Sequence, residues 1–348
     1  MQDYLKKTRT PSLEGLEAGI KLDPNTGLLN GFTGKILFRE PNQNQVEKGY
    51  ISIEKLLKLT NDSLHEHDFQ IWIILDRLDV AFAEDTKLEE NALRALFKVY
   101  LDLFHYEFFS TKIFLRTDIW NRITKEGFRE ASHITKHTTI RWDRRFLLNL
   151  IIRRILKNDT ITNYCRVKKE TILSDFKKQE SLFYRLFPEK IDLGANKPNT
   201  LDWILSRVCD GTKEVVPREL IHLLSCAKEI QIRKYEIGER DPGGEILFSR
   251  NTLKEALYEV SKVRLEQTIF AEYPNLKHYI LRLEREKTNQ NIDTLSDIWN
   301  IDKKEATLIC TELVSVGFFE QRGDKSSPTF WVPFLYREAL NLVQGSAF

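Results

Sequence analysis

Two short apolar runs, with one long helical pattern between them, constrain this chain more than any other feature. Ile71-Trp72-Ile73-Ile74-Leu75 is an unbroken apolar stretch of strand length, and Lys112–Arg116 (KIFLR) is a second strand signal. Between them, KLEENALRALFKVYLDLF places Leu93, Leu96, Phe97, Tyr100, Leu101 and Phe104 at i, i+3 and i+4 intervals, one face of a helix. A strand, a helix and a strand joined by a crossover of about 35 residues predict a βαβ unit. Its strands should lie parallel in a sheet whose faces are covered, so 71–75 should be buried. That places the chain in the α/β class.

At 348 residues the chain exceeds one ordinary core, so two or three domains are expected. Residues 1–50 hold turn signals (Pro24-Asn25, Gly27, Asn30-Gly31, Pro41-Asn42) around a strand-like piece at Lys35–Phe38, and predict an irregular β-rich arm. The βαβ region is assigned to 51–145, opening with a helix that carries Ile53, Leu56, Leu57 and Leu64. A helical domain is assigned to 146–262. In the remainder, 263–348, three helical patterns precede two short strands joined by a polar turn, the order of a winged helix. The third helix should stop at Gly317.

Charge and cysteine usage narrow the class further. Lys and Arg total 53 against 51 Asp and Glu, for a net charge of +2, so any attraction to nucleic acid would have to be local. The four cysteines have no CxxC spacing, which argues against a zinc or redox pair and suits a reducing, cytoplasmic setting. No apolar run approaches membrane-spanning length, so no membrane partner is expected.

The chemistry-bearing residues cluster at predicted strand and helix ends. Asp76 follows the first strand directly, and Asp79 comes three residues later. In open parallel sheets, functional groups gather beyond the carboxyl ends of the strands. An acid there can hold Mg²⁺ beside a nucleotide's phosphates, with a second orienting water or bracing the loop. The alternative is that Asp76 caps its own turn and Asp79 is solvated. Arg116 ends the second strand and could clamp a γ-phosphate, or pair with Asp118 on the surface. Pro217 is suited to a first helical turn, which leaves Arg218 on that turn, facing a nucleotide or paired with Glu219 or Glu214. Arg141 opens a run of five arginines within 14 residues and could approach the same nucleotide; a mixed charged helix face is the other reading. His65 and His67, and the His133–His137 pair, are better read as polar turn and loop residues than as metal ligands.

Together these pieces resemble the P-loop ATPases of the AAA+/STAND/KAP assemblage. IILDRLD looks like their Walker B strand, IFLRTDIW like the sensor-1 strand, and VVPREL like the Pro-Arg sensor-2 motif that opens a lid helix. The run GFREASHITKHTTIRWDRRFLLNLIIRRIL and the ending FWVPFLYREALNLVQG resemble a bacterial family called simply P-loop ATPases. The resemblance covers about residues 50–348. It implies ATP and Mg²⁺ as cofactors, with Asp76 at the metal, Asp79 assisting water, and Arg116, Arg141 and Arg218 at the phosphates. It also implies an ATP-driven switch acting in regulation or defence.

One part of the family pattern is missing. A phosphate-binding loop needs GxxxxGK[ST], and the nearest run, Gly31–Ile36 (GFTGKI), has two residues between its glycines and Ile36 where a hydroxyl should be. The chain therefore resembles the portion of such an ATPase after that loop. The expected partner is a protein or a missing N-terminal segment that supplies the loop, and hydrolysis by this polypeptide alone is not expected. The alternative is a non-catalytic interaction or DNA-binding protein on the same scaffold. Against DNA, Lys303 and Lys304 are offset by Asp302, Glu305 and Glu312, and Arg322 and Lys325 by Glu320 and Asp324.

Overall fold

The computed structural model describes the backbone of residues 13–22 and 29–38, and residues 52–78, 85–125, 127–324 and 327–348. The chain divides into two units, 1–139 and 140–348. The architecture is mixed α/β with small sheets, including one parallel pair of strands.

In the first unit, β1 (Leu13–Leu22) and β2 (Leu29–Phe38) pair antiparallel over their length. The described part of the expected β-rich arm is thus an antiparallel strand pair, with register shifts between Leu13 and Leu16 and between Ile20 and Leu22. The run Gly31–Ile36 lies inside β2, in extended paired backbone. α1 (Ile53–Glu66) follows, its first turn capped by Ser52, whose Oγ accepts from the Lys55 amide at 3.2 Å. Then come β3 (Ile71–Leu75), α2 (Thr86–Leu103), β4 (Phe109–Ile113) and α3 (Thr117–Lys125). β3 and β4 are parallel, with Ile71 beside Phe109 and Leu75 beside Ile113. This is the predicted strand–helix–strand crossover.

Two expectations within it need correction. The second strand is 109–113, not 112–116, because the chain turns into α3 directly after it. The strands are also not buried. Trp72 and Ile74 are each 60% exposed, and among the described residues β3 and β4 form a two-stranded sheet. An apolar run predicts burial only if further elements cover both faces. Here the core of the unit lies to one side. Leu93 and Phe97 of α2 pack with Ile119 and Ile123 of α3 and with Phe128 and Ile134. Ile53, Leu56 and Leu59 of α1 are exposed as well.

The second unit begins with helices α4 (Arg144–Ile155), α5 (Asp159–Tyr164), α6 (Lys169–Leu173), α7 (Phe176–Leu186) and α8 (Thr200–Arg207). Two long helices follow, α9 (Pro217–Glu236) and α10 (Arg250–Arg264), and they pack on each other. A π-helical turn at Leu265–Ile269 ends this stretch. The first of the three helical patterns, YPNLKHYILRLEREK at 273–287, is broken. A short α11 (Lys277–Leu281) leads instead into β5 (Lys287–Asn291), where Thr288, Asn289 and Gln290 are buried. α12 (Ile292–Trp299) and α13 (Lys303–Ser315) come next, then β6 (Glu320–Arg322), β7 (Thr329–Trp331), the single turn α14 (Phe334–Arg337) and β8 (Val343–Ser346). The strands form one sheet in the order β6-β7-β5-β8. Gly317, at φ +76, sits just past the end of α13. Lys325 of the polar turn lies outside the described residues.

A single apolar core runs through the whole second unit, from Leu147 of α4 to Leu340. The expected division at 262/263 therefore separates no cores. Several contacts tie the two parts. The Gly211 amide donates to the Gly317 carbonyl at 2.7 Å, and the Ala339 amide donates to Ser261 Oγ at 3.0 Å. The Arg207 guanidinium lies over the Phe334 ring at 3.9 Å.

Candidate functional site

The parallel register of β3 and β4 decides where the acid and the base emerge. Leu75 and Ile113 are the paired last residues, and the Phe114 amide still donates to the Leu75 carbonyl at 2.8 Å. Both chains therefore leave the sheet on the same rim. Asp76 is the first residue beyond β3 and is exposed; its Oδ1 accepts from the Arg77 amide at 2.8 Å. Arg77 itself turns the chain with φ 55, in the left-handed region. The turn-capping role is thus filled, and one carboxylate oxygen of Asp76 is outside that bond.

Arg116 stands three residues past β4. Its carbonyl accepts from the Trp120 amide at 3.0 Å, so it opens α3 rather than closing a strand. Its guanidinium meets Asp118 as a fork, Nε to Oδ1 at 3.1 Å and the second contact to Oδ2 at 3.0 Å. The surface pair weighed from the sequence is therefore present, in an exposed setting where such a pair is weak and exchangeable.

The helix that Arg116 opens is held firmly. Glu89 and Glu90, near the start of α2, are both buried although acidic. Arg122 of α3 pairs with Glu89, and its Nε lies 3.2 Å from Glu90 Oε1. Arg94 of α2 donates to the Ile123 carbonyl at 3.2 Å. α2 and α3 are locked through these charges, and α3 carries the Arg116–Asp118 pair at its start. This brace was not foreseen, because a pair of acids near the start of a helix has the pattern of a solvated N-terminus.

Asp79 lies outside the described residues. Arg141 is exposed in the irregular stretch before α4. Arg218 is exposed on the first turn of α9, behind Pro217 at the expected place. Its suggested partner Glu219 is turned inward instead and pairs with Arg264 at 3.1 Å, so Arg218 has no ion pair among the described residues. Arg141 and Arg218 belong to the second unit, whereas Asp76 and Arg116 belong to the first. No group of three or more metal-capable side chains occurs among the described residues. A divalent ion at Asp76 would thus take most of its ligands from water and phosphate oxygens, as Mg²⁺ commonly does.

No family model matches this chain, and it has no match among the curated proteins or the solved structures.

The second unit holds two features that the motif reading missed. One is the buried Glu219–Arg264 pair beside the fully buried Tyr336. Burial pushes the Tyr336 phenol well above its ordinary range. The other is an apolar cleft beside α4 and α9. The alternation of Leu150, Ile151, Arg154 and Ile155 along α4, and of Ile221, Leu224, Lys228 and Ile232 along α9, contained the signal for it.

Proposed function

We propose that this chain is the portion after the phosphate-binding loop of an ATP-dependent switch, with Asp76 at a nucleotide-bound Mg²⁺ and Arg116 at the γ-phosphate. The single observation that carries the reading is the parallel register of β3 and β4, which delivers an acid and a base to one rim of the sheet. The fork between Arg116 and Asp118 supports a sensing role. A guanidinium paired with an exposed carboxylate can exchange that partner for a phosphate of matching geometry. Asp79 would assist the attacking water, and Arg218 and Arg141 would report phosphate from the second unit.

The exposed face of β3 supports the idea that a further segment carrying the loop, from a partner protein or from an N-terminal stretch, completes the nucleotide site. The C-terminal part, with its helix–strand–helix–helix–hairpin order, is proposed as a winged helix. Because it shares a core with the helices before it, a nucleotide response would move 140–348 as one body rather than swing that module alone.

The test is Mg²⁺-dependent ATP binding by the purified chain, followed by calorimetry at millimolar nucleotide. Weak, Mg²⁺-dependent binding is expected, lost in Asp76→Asn and reduced about tenfold or more in Arg116→Ala. No binding at millimolar nucleotide, or binding indifferent to both changes, would favour the second reading. That reading is a non-catalytic interaction protein, supported by the exposure of Trp72, Ile74 and Phe114 around the same sheet.

A further inference from the structure

The second unit contains a cleft of about 410 Å³, remote in sequence from Asp76 and Arg116. It lies beside α4 and α9, and its walls include Leu150, Ile155, Phe187, Leu224, Ile232 and Phe248. Its size falls within the roughly 300–1,000 Å³ of small-molecule sites. Ile232 remains 46% exposed, so the apolar lining is open to solvent rather than sealed. Such a surface gains from being covered by something apolar.

The charged side chains in the cleft lining are of one sign. Two cations line it, Arg154 from α4 and Lys228 from α9, and no Asp or Glu does. Both cations are exposed, and neither is ion-paired among the described residues. Their aliphatic stems can lie along the apolar wall while their charged ends stay in water. Of the other polar residues in the lining, Asn158, Gln231 and Tyr235 are engaged within the fold, which leaves the Ser225 hydroxyl; Asn158 Oδ1 accepts from the Thr160 amide at 2.9 Å. Gln231 is buried, and its Oε1 accepts from the Ser249 amide and from Thr252 Oγ1, each at 2.8 Å. The Tyr235 hydroxyl donates to Asp241 Oδ1 at 3.0 Å. An occupant therefore meets apolar walls, the Ser225 hydroxyl and two cations.

We propose that this cleft binds a single-chain aliphatic carboxylate, its methylenes against the apolar walls and its head group at Arg154 and Lys228. A neutral apolar molecule would leave the cations unused, and a cationic amphiphile would be repelled by them. The assignment goes beyond the nucleotide reading and does not depend on it.

The experiment uses the full chain and decanoate, titrated by calorimetry well below its micelle-forming concentration. Saturable binding at one site is expected, tightening about fourfold for each methylene added from hexanoate upward until the cleft is filled. Decyltrimethylammonium should bind at least tenfold more weakly than decanoate. The double variant Arg154→Glu, Lys228→Glu changes only exposed side chains. It should keep the thermal melt and lose at least tenfold in decanoate affinity. Ser225→Phe, which intrudes into the cleft, should abolish binding; if that variant fails to fold, the charge variant still decides. Absence of saturable binding would overturn the proposal. So would equal affinity for the cationic amphiphile, or undiminished decanoate binding by the double variant.

Discussion

Glu219 and Asp76 are both acids at element ends, yet their surroundings give them opposite roles. Asp76 stays in water at the sheet rim, where a carboxylate is cheap to keep charged and free to meet a cation. Glu219 is 4% exposed and depends on Arg264 for compensation, and its Oε2 has no hydrogen-bond donor. Removing that partner would strand a buried charge. Arg264→Ala is therefore expected to destabilise the second unit by about 3–5 kcal/mol. Adding Glu219→Leu to it should recover much of the loss; denaturant unfolding of the single and double variants measures both. Two half-buried carboxylates predict an acid response. Lys254, which bonds it, and burial, which opposes, leave Asp192 below its ordinary carboxylate range. Arg322 holds Glu320 down in the same way, against a smaller opposing effect of burial, and Lys213 adds to it. A depressed folded-state value means stability that is present above the unfolded pKa and lost as pH falls through the folded one. Melting temperature should thus drop on acidification below about pH 4, and less steeply in Lys254→Met.

At the scale of elements, the β3–β4 pair is the least self-sufficient part of the described chain. Apolar side chains on a sheet gain nothing from hydrophobicity unless something covers them. Trp72→Thr and Ile74→Thr should change unfolding free energy by no more than about 0.5 kcal/mol, whereas Ile123→Ala should cost about 2–5 kcal/mol. Chemical denaturation followed by tryptophan fluorescence, with far-ultraviolet dichroism for the Trp72 variant, would check this. A large loss at Trp72 would mean that the face is already covered. α13 presents a different surface. Its Lys303 is paired with Asp293 at 2.7 Å, while Arg322 on the neighbouring strand is taken by Glu320. Leu308 stands 72% exposed on the same helix. Phosphate affinity needs free cations, so duplex DNA at about 150 mM salt should show no retention by this protein in a mobility-shift assay. A neutral surface with a projecting leucine suits protein contact better.

At the scale of the whole molecule, the two units differ in how completely they bury their apolar residues. Residues 135–143 join them as an exposed stretch without helix or strand, and Lys136 and Arg141 lie within it. Brief trypsin treatment should cut there first and leave a stable fragment close to 140–348, identified by mass. The βαβ order was legible in the sequence because local periodicity and crossover length leave few topologies for two apolar runs. From that order followed that β3 and β4 leave the sheet on one rim. The C-terminal helices α12 and α13 and the hairpin after them were legible for the same local reasons, down to the stop at Gly317. Burial was not legible. Ile71–Leu75 has the same composition whether covered or bare, and only the absence of neighbouring elements in the described sheet leaves it open. Nor could spacing reveal that Glu219 would face Arg264, 45 positions along, rather than its neighbour Arg218. Local patterns by themselves determined the strand–helix–strand order and the direction in which β3 and β4 run. The tertiary structure alone decided which faces are covered, which charges are paired inside, and that α4 and α9 would leave a cleft between apolar walls. Those outcomes depend on contacts between residues far apart in the chain, which no short window of sequence contains.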